Sequence, residues 1–204
     1  MTGSIGGVFI SFEGLDGSGK TTQAALLVRA LRERGDEVVA VREPGGTQAG
    51  ERVRDLLLDP RSQIAPWTEA LLYAAARAQL VATVIRPALE RGAVVVADRF
   101  VDSSLAYQGC ARGLGLERVL AVNQAATDGL MPDRTVLLVL AEQDAAARRD
   151  PSPDRIESED GRFHQAVARG FAAAAARFPD RIRTVDASGE PDAVLVRVRA
   201  AVGL

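Results

Sequence analysis

The sequence predicts an α/β fold in three layers, with a five-stranded parallel sheet flanked by helices. Short apolar runs alternate along the chain with longer segments of helical periodicity. The third run, residues 93–97, is continuously small or β-branched, which is typical of a strand covered on both faces. The first run leads into a glycine-rich turn that opens a helix. Ligands are therefore expected beyond the carboxyl ends of the strands.

The predicted elements follow the order β-α-β-α-β-α-β-α-β. The strands are residues 8–12, 37–41, 93–97, 134–140 and 182–185. The helices are residues 20–34, 51–58, 67–91, 116–128, 143–149, 158–178 and 192–202. Pro87 is expected to bend or break the third helix, because proline lacks the N–H donor and its ring crowds the preceding turn.

Length and composition limit the functional class. A chain of 204 residues predicts a single domain, residues 1–204. The net charge of −2 argues against a generic nucleic-acid partner. The apolar runs fall short of the roughly 18 residues that span a bilayer, and residues 1–7 do not resemble a signal peptide. A cytoplasmic protein without a membrane partner is expected.

The metal chemistry is limited by two residue counts. Cys110 is the only cysteine and His164 the only histidine, which excludes an intrachain disulfide and a Cys-rich zinc site. A metal ion would therefore need oxygen ligands, and these favour magnesium.

A phosphate-binding loop follows the first strand. Gly14 to Thr21 matches the pattern G-x-x-x-x-G-K-[ST], with a strand before it and a helix after it. Its glycines let backbone N–H groups converge on phosphate oxygens, and the helix N-terminus adds positive potential. A P-loop NTPase fold is therefore predicted. The residues expected to bind ATP are Gly14, Leu15, Asp16, Gly17, Ser18, Gly19, Lys20, Thr21 and Thr22.

Lys20 is the only lysine among 25 basic residues, so the other 24 are arginines. A compact ammonium on a flexible stem can reach between the β- and γ-phosphates, whereas the planar guanidinium of arginine fits such a loop poorly. The lone lysine also excludes the Asn-Lys-x-Asp motif with which GTPases bind their base.

A magnesium site is predicted from two oxygen donors. The Thr21 hydroxyl follows the P-loop lysine, and Asp98 ends an apolar strand in the Walker-B manner. Arg99 comes next and is expected to project over the phosphates. Phosphoryl transfer between two nucleotides suits this set, because arginines can neutralise the combined phosphate charge.

At this point the chain resembles the bacterial thymidylate kinase family. The resemblance rests on residues 12–22, the segment Arg42 to Thr47, the motif Asp98-Arg99-Phe100 with Ser103-Ser104 and Tyr107-Gln108-Gly109, and Asp154 to Glu157. These motifs occur in the family's order and extend from about residue 8 to residue 186.

The resemblance implies that ATP and dTMP give ADP and dTDP with Mg²⁺, in the pathway of dTTP synthesis. It implies catalytic roles for Lys20, Arg99, Arg149, Arg155 and Asp16, and dTMP contacts from Asp16, Pro44, Arg54, Tyr73, Arg77, Arg99, Ser104, Tyr107 and Gln108. Arg54 and Arg77 would clamp the acceptor phosphate, Arg99 would bridge the two substrates, and Asp16 would contact the sugar 3′-hydroxyl or assist the magnesium site. A homodimer is also implied.

The remaining implied roles concern the base and the sugar. Tyr73 would stack on thymine, Ser104 and Gln108 would form hydrogen bonds near the base, and Pro44 would line its pocket. Tyr107 would crowd the 2′ position and so disfavour a ribonucleotide.

The resemblance also implies a short mobile lid at about residues 148–157. Arg149 and Arg155 are its candidate arginines, because the variable P-loop positions carry no basic residue. Pro151 and Pro153 depart from the more arginine-rich, helical lid that is common in the family.

Taken alone, several of these residues allow simpler interpretations. Tyr73 could belong to the core, Arg54 could pair with Glu51, Arg77 could extend to solvent, and the residues 42–46 could form only a turn. Two other functions also remain open: a related kinase acting on an acceptor such as a deoxynucleoside, and a non-catalytic ATP-binding module.

Overall fold

The structure is a computed structural model that describes residues 6–141, 144–145 and 153–204. Its centre is a five-stranded parallel sheet in the order β2-β3-β1-β4-β5. The strands are β1 (Val8–Glu13), β2 (Val38–Arg42), β3 (Val94–Asp98), β4 (Arg134–Val139) and β5 (Ile182–Asp186). The predicted five-stranded parallel sheet is confirmed, with each strand end within about two residues of its expected position.

Helices cover both faces of this sheet, as predicted. The helices are α1 (Lys20–Glu33), α2 (Gln48–Leu58), α3 (Pro66–Leu80), α4 (Arg86–Glu90), α5 (Val101–Ser104), α6 (Leu116–Thr127), α7 (Gly161–Arg177) and α8 (Pro191–Val202). Two π-helical turns, Val81–Ile85 and Leu105–Ala111, continue α3 and α5. Of the predicted helix 143–149, only residues 144–145 lie in the described ranges.

The core lies in two layers, one on each face of the sheet. Alternate residues of a strand point to opposite faces, so Phe9 belongs to one cluster and Ile10 to the other. The layer around Ile10 includes Leu27 of α1 and Val198 of α8. The layer around Phe9 includes Leu80 and Val167. The three-layer prediction is therefore confirmed.

The long helix expected at residues 67–91 is interrupted. Regular α-helix ends at Leu80, a π-helical turn follows, and Pro87 is the second residue of α4. Proline cannot donate the hydrogen bond that an uninterrupted helix needs there, and its ring would crowd the carbonyl four residues earlier. The expected effect of Pro87 is confirmed, although the irregular turn precedes it.

The helical segment Val101–Ala111 was not predicted from the sequence. Most of it is buried, from Val101 and Leu105 to Gly109. It therefore lacks the polar face that makes an amphipathic helix recognisable. Gly170 of α7 allows its close approach, because a Cβ there would come within 2.6 Å of the Ala106 Cα atom.

Side-chain caps fix two helix starts. Thr47 accepts a hydrogen bond from the Gly50 N–H at 2.9 Å, so α2 begins before the expected residue 51. Asp160 accepts one from the Phe163 N–H, also at 2.9 Å, so α7 begins later than the expected residue 158. Within the described part of the chain, no helix combines the length and apolarity that a membrane crossing requires.

Candidate active site

A cleft of about 650 Å³ opens beyond the carboxyl ends of the strands. The P-loop and the start of α1 form one end, and α3 and the segment Val101–Ala111 contribute to the other. Most of the predicted site residues line it: Asp16, Gly17, Ser18, Gly19, Lys20, Thr21, Thr22, Pro44, Arg54, Tyr73, Arg77, Asp98, Arg99, Ser104, Tyr107 and Gln108. Gly14, Leu15 and Arg155 are not part of its wall.

The P-loop glycines are required by close backbone approaches. Gly14 has φ of 139° and Gly17 has φ of 82°. A Cβ atom on Gly14 would collide with the Leu138 carbonyl, and one on Gly17 with the Ala145 carbonyl. The loop is therefore closely fitted between the carboxyl end of β4 and the residues after it, and α1 begins directly from it at Lys20.

Lys20 lies at the bottom of the P-loop with 7% of its side chain exposed. Its Nζ donates a hydrogen bond to the Leu15 carbonyl at 2.8 Å and lies 3.8 Å from Asp16 Oδ1. Burial, reinforced by the Arg99 cation, lowers the pKa of Lys20 to about 8. The loop therefore holds this ammonium in a place where an added negative charge would stabilise its protonated form.

Thr21 and Asp98, the two predicted magnesium ligands, lie next to each other at the cleft wall. The Thr21 hydroxyl donates a hydrogen bond to Asp98 Oδ2 at 2.6 Å. A hydroxyl and a carboxylate are suitable oxygen ligands for Mg²⁺, which usually keeps several waters and phosphate oxygens as further ligands. The described residues hold no cluster of three or more His, Cys, Asp or Glu side chains that could bind a metal without such help.

Asp16, Arg99 and Tyr107 form a compact cluster between the two ends of the cleft. Arg99 Nη2 donates to Asp16 Oδ1, and the Tyr107 hydroxyl donates to Asp16 Oδ2 at 3.0 Å. The Arg99 guanidinium lies 5.3 Å from the centre of the Tyr107 ring. Burial alone would raise the pKa of Asp16, but Arg99 and Lys20 outweigh it and lower the pKa. Asp16 is therefore ionised and holds Arg99 beside the P-loop.

Glu13 orients the segment that carries Arg99, and sequence reasoning missed it. Its carboxyl group accepts hydrogen bonds from the Phe100 N–H at 2.8 Å and from the Ser103 hydroxyl at 2.6 Å. Ser103 in turn accepts one from Arg99 Nη1 at 3.1 Å. Burial and the neighbouring Asp102 raise the pKa of Glu13 to about 8. Its place at the end of β1, directly before the P-loop, was the available signal.

Arg77 does not reach solvent, and it is not a free phosphate clamp. Its side chain is 1% exposed and donates to Glu43, at 2.5 Å from Nη2 and 2.8 Å from Nε. The remaining N–H groups donate to Ser104, Asn123 and the Phe100 carbonyl. All five donors of a guanidinium are thus used by the protein.

The predicted clamp role would require Arg77 to exchange one of these partners. The position of Arg77 one helical turn after Tyr73 was visible in the sequence. Its buried partner Glu43 was not, because Glu43 comes from a distant segment that ends in a cis peptide bond to Pro44.

Arg54 is the more accessible arginine at this end of the cleft. Its Nη1 donates to the Pro44 carbonyl at 3.0 Å, and it makes no ion pair with another described residue. Glu51, its suggested partner, instead pairs with Arg42 and accepts a hydrogen bond from the Gly46 N–H. Arg42, Glu43 and Pro44 of this segment line the cleft, so the segment is more than a simple turn.

Tyr73 is half-buried on the cleft wall and is not a core residue. Glu69, Tyr73 and Arg77 recur at intervals of four residues, so they share one face of α3. Ser104 and Gln108 line the same cleft from the segment Val101–Ala111. This periodicity could have revealed Glu69, which sequence reasoning missed.

Arg155, one of the two candidate lid arginines, does not line the cleft. Arg155 pairs with the buried Glu69 at 2.7 Å and donates to the Leu57 carbonyl at 2.7 Å. Arg149 lies outside the described residues, as does the rest of the predicted lid before residue 153. Asp154, Ile156 and Glu157 do line the cleft, so this end of the lid segment forms part of its wall.

Comparison with known proteins supports one family throughout. Residues 12–198 match the family model described as thymidylate kinase. The chain is 50% identical over 197 residues to a thymidylate kinase of Caldanaerobacter subterraneus, with 96% of this chain and 95% of that protein covered. It is 52% identical to a thymidylate kinase of Gloeobacter violaceus, covering 96% of this chain and 94% of that protein.

A solved structure supports the same family. The crystal structure of a thymidylate kinase from Ehrlichia chaffeensis matches with a TM-score of 0.82 and 32% identity, covering 98% of this chain and 99% of that chain. Family match, relatives and structural neighbour cover nearly the whole chain. The chain therefore belongs to the thymidylate kinase family.

Proposed function

We propose that the chain, acting as one kinase domain over residues 1–204, transfers the γ-phosphoryl group of ATP to dTMP and yields dTDP for dTTP synthesis. Family membership supports the reaction. The observation that carries the assignment of the site is the cluster of Asp16 and Arg99. It lies between Lys20 of the P-loop and the residues of the acceptor end.

ATP would bind with its phosphates in the P-loop. The first turn of α1 lines this end of the cleft, so its unpaired N–H groups and the helix dipole favour an anion there. Lys20 would exchange its hydrogen bond to Leu15 for one to a phosphate oxygen. The buried Ser18 hydroxyl, without a hydrogen-bond partner in the described residues, supplies a further polar contact.

Mg²⁺ would be held by Thr21 and Asp98, whose oxygens are already adjacent. When bound, it would neutralise phosphate charge. The residues present fit this ion, because both are oxygen donors at the cleft wall.

dTMP would occupy the other end of the cleft. Tyr73 presents an aromatic side chain for stacking on the base, and Pro44, Ser104 and Gln108 would line the base pocket. Tyr107 is fixed by its hydrogen bond to Asp16, so its ring would hinder a ribose 2′-hydroxyl. Arg77 would support this pocket through Ser104, and only an exchange of partners would let it reach a phosphate.

Transfer would rest on positioning and charge compensation. The acceptor phosphate is already anionic at pH 7, so no general base is needed. Arg99 would contact both the acceptor phosphate and the transferring group, with Asp16 holding it in place. Arg54 would bind the acceptor phosphate. Arg149 would complete the site from the lid. Arg155 could join only after it leaves Glu69.

The assembly and location of the protein extend the proposal. A homodimer would use helices, and both α2 and α3 expose a leucine, Leu56 at 47% and Leu71 at 53%. Light scattering coupled to gel filtration would measure the mass. A cytoplasmic location would place the enzyme with its nucleotide substrates, and fractionation of cells would test it.

The proposed reaction is tested by coupling ADP release to NADH oxidation with dTMP, dUMP, dCMP and thymidine as separate acceptors. The expected result is the highest kcat/KM with dTMP, a requirement for Mg²⁺ and little turnover of thymidine. Preferential turnover of thymidine would instead support a deoxynucleoside kinase. ATP binding without turnover of any acceptor would support a non-catalytic module.

A further inference from the structure

Glu69 is a fully buried carboxylate that does not itself line the cleft. It lies on α3 and is 0% exposed. Four donors surround it. Gln108 Nε2 at 2.9 Å and Arg112 Nε at 3.2 Å donate to Oε1, while Arg112 Nη2 at 3.1 Å and Arg155 Nη2 at 2.7 Å donate to Oε2. Both oxygens are thus occupied by N–H groups.

This environment keeps Glu69 ionised. Burial alone would raise the pKa of Glu69, but the hydrogen bonds from Arg112, Gln108 and Arg155 outweigh it and lower the pKa. An ionised carboxylate can only accept hydrogen bonds. The Gln108 amide must therefore turn its nitrogen toward Glu69.

The orientation of the Gln108 amide decides what the cleft presents to a ligand. Gln108 is 2% exposed and lines the cleft. Its Oε1 accepts no hydrogen bond from the residues that the structure describes. Since the nitrogen faces Glu69, the oxygen is the polar atom that this side chain offers to a base. The cleft thus presents an acceptor at this point and not a donor.

Pyrimidine bases differ in the group that would meet such an acceptor. Thymine and uracil carry an N3–H donor on their Watson–Crick edge, whereas cytosine carries an unprotonated N3 acceptor next to an amino group. A fixed acceptor would bind the first two bases and oppose the third. An amide that was free to flip would accommodate either edge.

We propose that Glu69 is a positioning residue that determines base specificity: by fixing the Gln108 amide, it makes the acceptor pocket select bases with an N3–H group against cytosine. The proposal rests on the proposed function, in which Gln108 lines the base pocket. Glu69 also forms an ion pair with Arg155, which connects the segment after residue 153 to α3. The same buried carboxylate therefore contacts both the end of the predicted lid and Gln108 of the base pocket.

The test is Glu69→Gln, which keeps the shape of the side chain. Its amide oxygen would take the place of Oε2, where Arg112 Nη2 and Arg155 Nη2 donate, so its NH₂ group would take the place of Oε1 and face Gln108. Only the longer bond from Arg112 Nε would lose its acceptor. The Gln108 amide would then turn over and present a donor to the cleft. Kd values for dTMP, dUMP and dCMP are measured by calorimetry on wild type and variant. A matched control is Glu159→Gln, which removes another carboxylate paired with Arg112, at 2.6 Å, without contacting Gln108.

The expected result is a selectivity for dTMP over dCMP that falls at least about tenfold in Glu69→Gln. The ratio of dTMP to dUMP affinity should change less than about twofold, because both bases carry N3–H, and Glu159→Gln should keep both ratios. An unchanged ratio of dTMP to dCMP affinity, or an equal loss in both ratios, would overturn the proposal.

A second variant covers the case in which Glu69→Gln does not fold. Gln108→Met removes the amide and leaves Glu69 in place, and it should lower the selectivity against dCMP to a similar extent. Retained selectivity in Gln108→Met would overturn the proposal. Failure of the proposed function is separate, since it would show as wild-type protein that does not phosphorylate dTMP.

Discussion

Lys20→Arg should nearly abolish phosphoryl transfer, although it conserves charge. The position is 7% exposed, and the ammonium is bonded to the Leu15 carbonyl at 2.8 Å with Asp16 3.8 Å away. A guanidinium is wider, planar and permanently charged. It cannot take the place of the ammonium without displacing the loop backbone or approaching the Arg99 cation.

The expected magnitude follows from the loss of one aligned donor to the transferring phosphoryl group. Losing such a donor typically lowers kcat by about 10²–10³-fold, or about 2.7–4 kcal/mol in the activation free energy. The burial of Lys20 places the expected effect at the upper end of this range.

The assay is steady-state ADP release with dTMP at saturating ATP. Circular dichroism and thermal unfolding establish that the variant is folded. Arg29→Lys on the same helix is the matched control, because Arg29 is 65% exposed and should tolerate the reverse exchange. A kcat for Lys20→Arg within tenfold of the wild type would refute the reasoning.

Three further predictions concern protonation, stability and metal binding. Because the pKa of Lys20 is lowered to about 8 in the free protein and phosphate charge should raise it, ATP binding at pH 8 should take up about half a proton, and at pH 6.5 almost none. Calorimetry in buffers of different ionisation enthalpy measures this, and equal uptake at both pH values would contradict it. Glu43→Ala should destabilise the fold by about 3–5 kcal/mol in urea unfolding, because it leaves the buried Arg77 cation without its carboxylate; a loss below about 1 kcal/mol would contradict that pairing. Asp98→Asn should raise the Mg²⁺ concentration for half-maximal activity at least about tenfold, and an unchanged Mg²⁺ dependence would argue against Asp98 as a ligand.

Local chemistry was largely predictable from the sequence. The P-loop is a contiguous motif whose glycines, lysine and threonine each have a reason to occupy their positions, and Lys20 and Thr21 lie at the start of α1 on the cleft wall. The strands were recognisable as short apolar runs between helical segments. The helix interruption near Pro87 was predictable because proline affects only the backbone of its own helical turn.

The remainder depends on contacts between distant segments. No local pattern pairs Arg77 with Glu43 or directs Arg155 to Glu69. These buried ion pairs form only when α3 packs beside the residues after β2 and before α7. Val101–Ala111 was missed for a related reason, because a helix buried on most sides shows no amphipathic period.

For the candidate site, the sequence predicted which residues take part better than it predicted their contacts. Arg99 was expected over the phosphates. Its ion pair with Asp16, and the hydrogen bonds by which Glu13 orients the segment after Arg99, became visible only in three dimensions. Glu13 directly precedes the P-loop, and Asp16 belongs to it. Their partners Tyr107 and Ser103 come from the segment after β3.

The most direct test of the proposed site is the electron density of dTMP in crystals of the protein. The account predicts thymine stacked on Tyr73 with its N3 facing Gln108 Oε1, and the 5′-phosphate in hydrogen-bond contact with Arg99. Density that places the base away from Tyr73, or the phosphate out of reach of Arg99, would contradict the account.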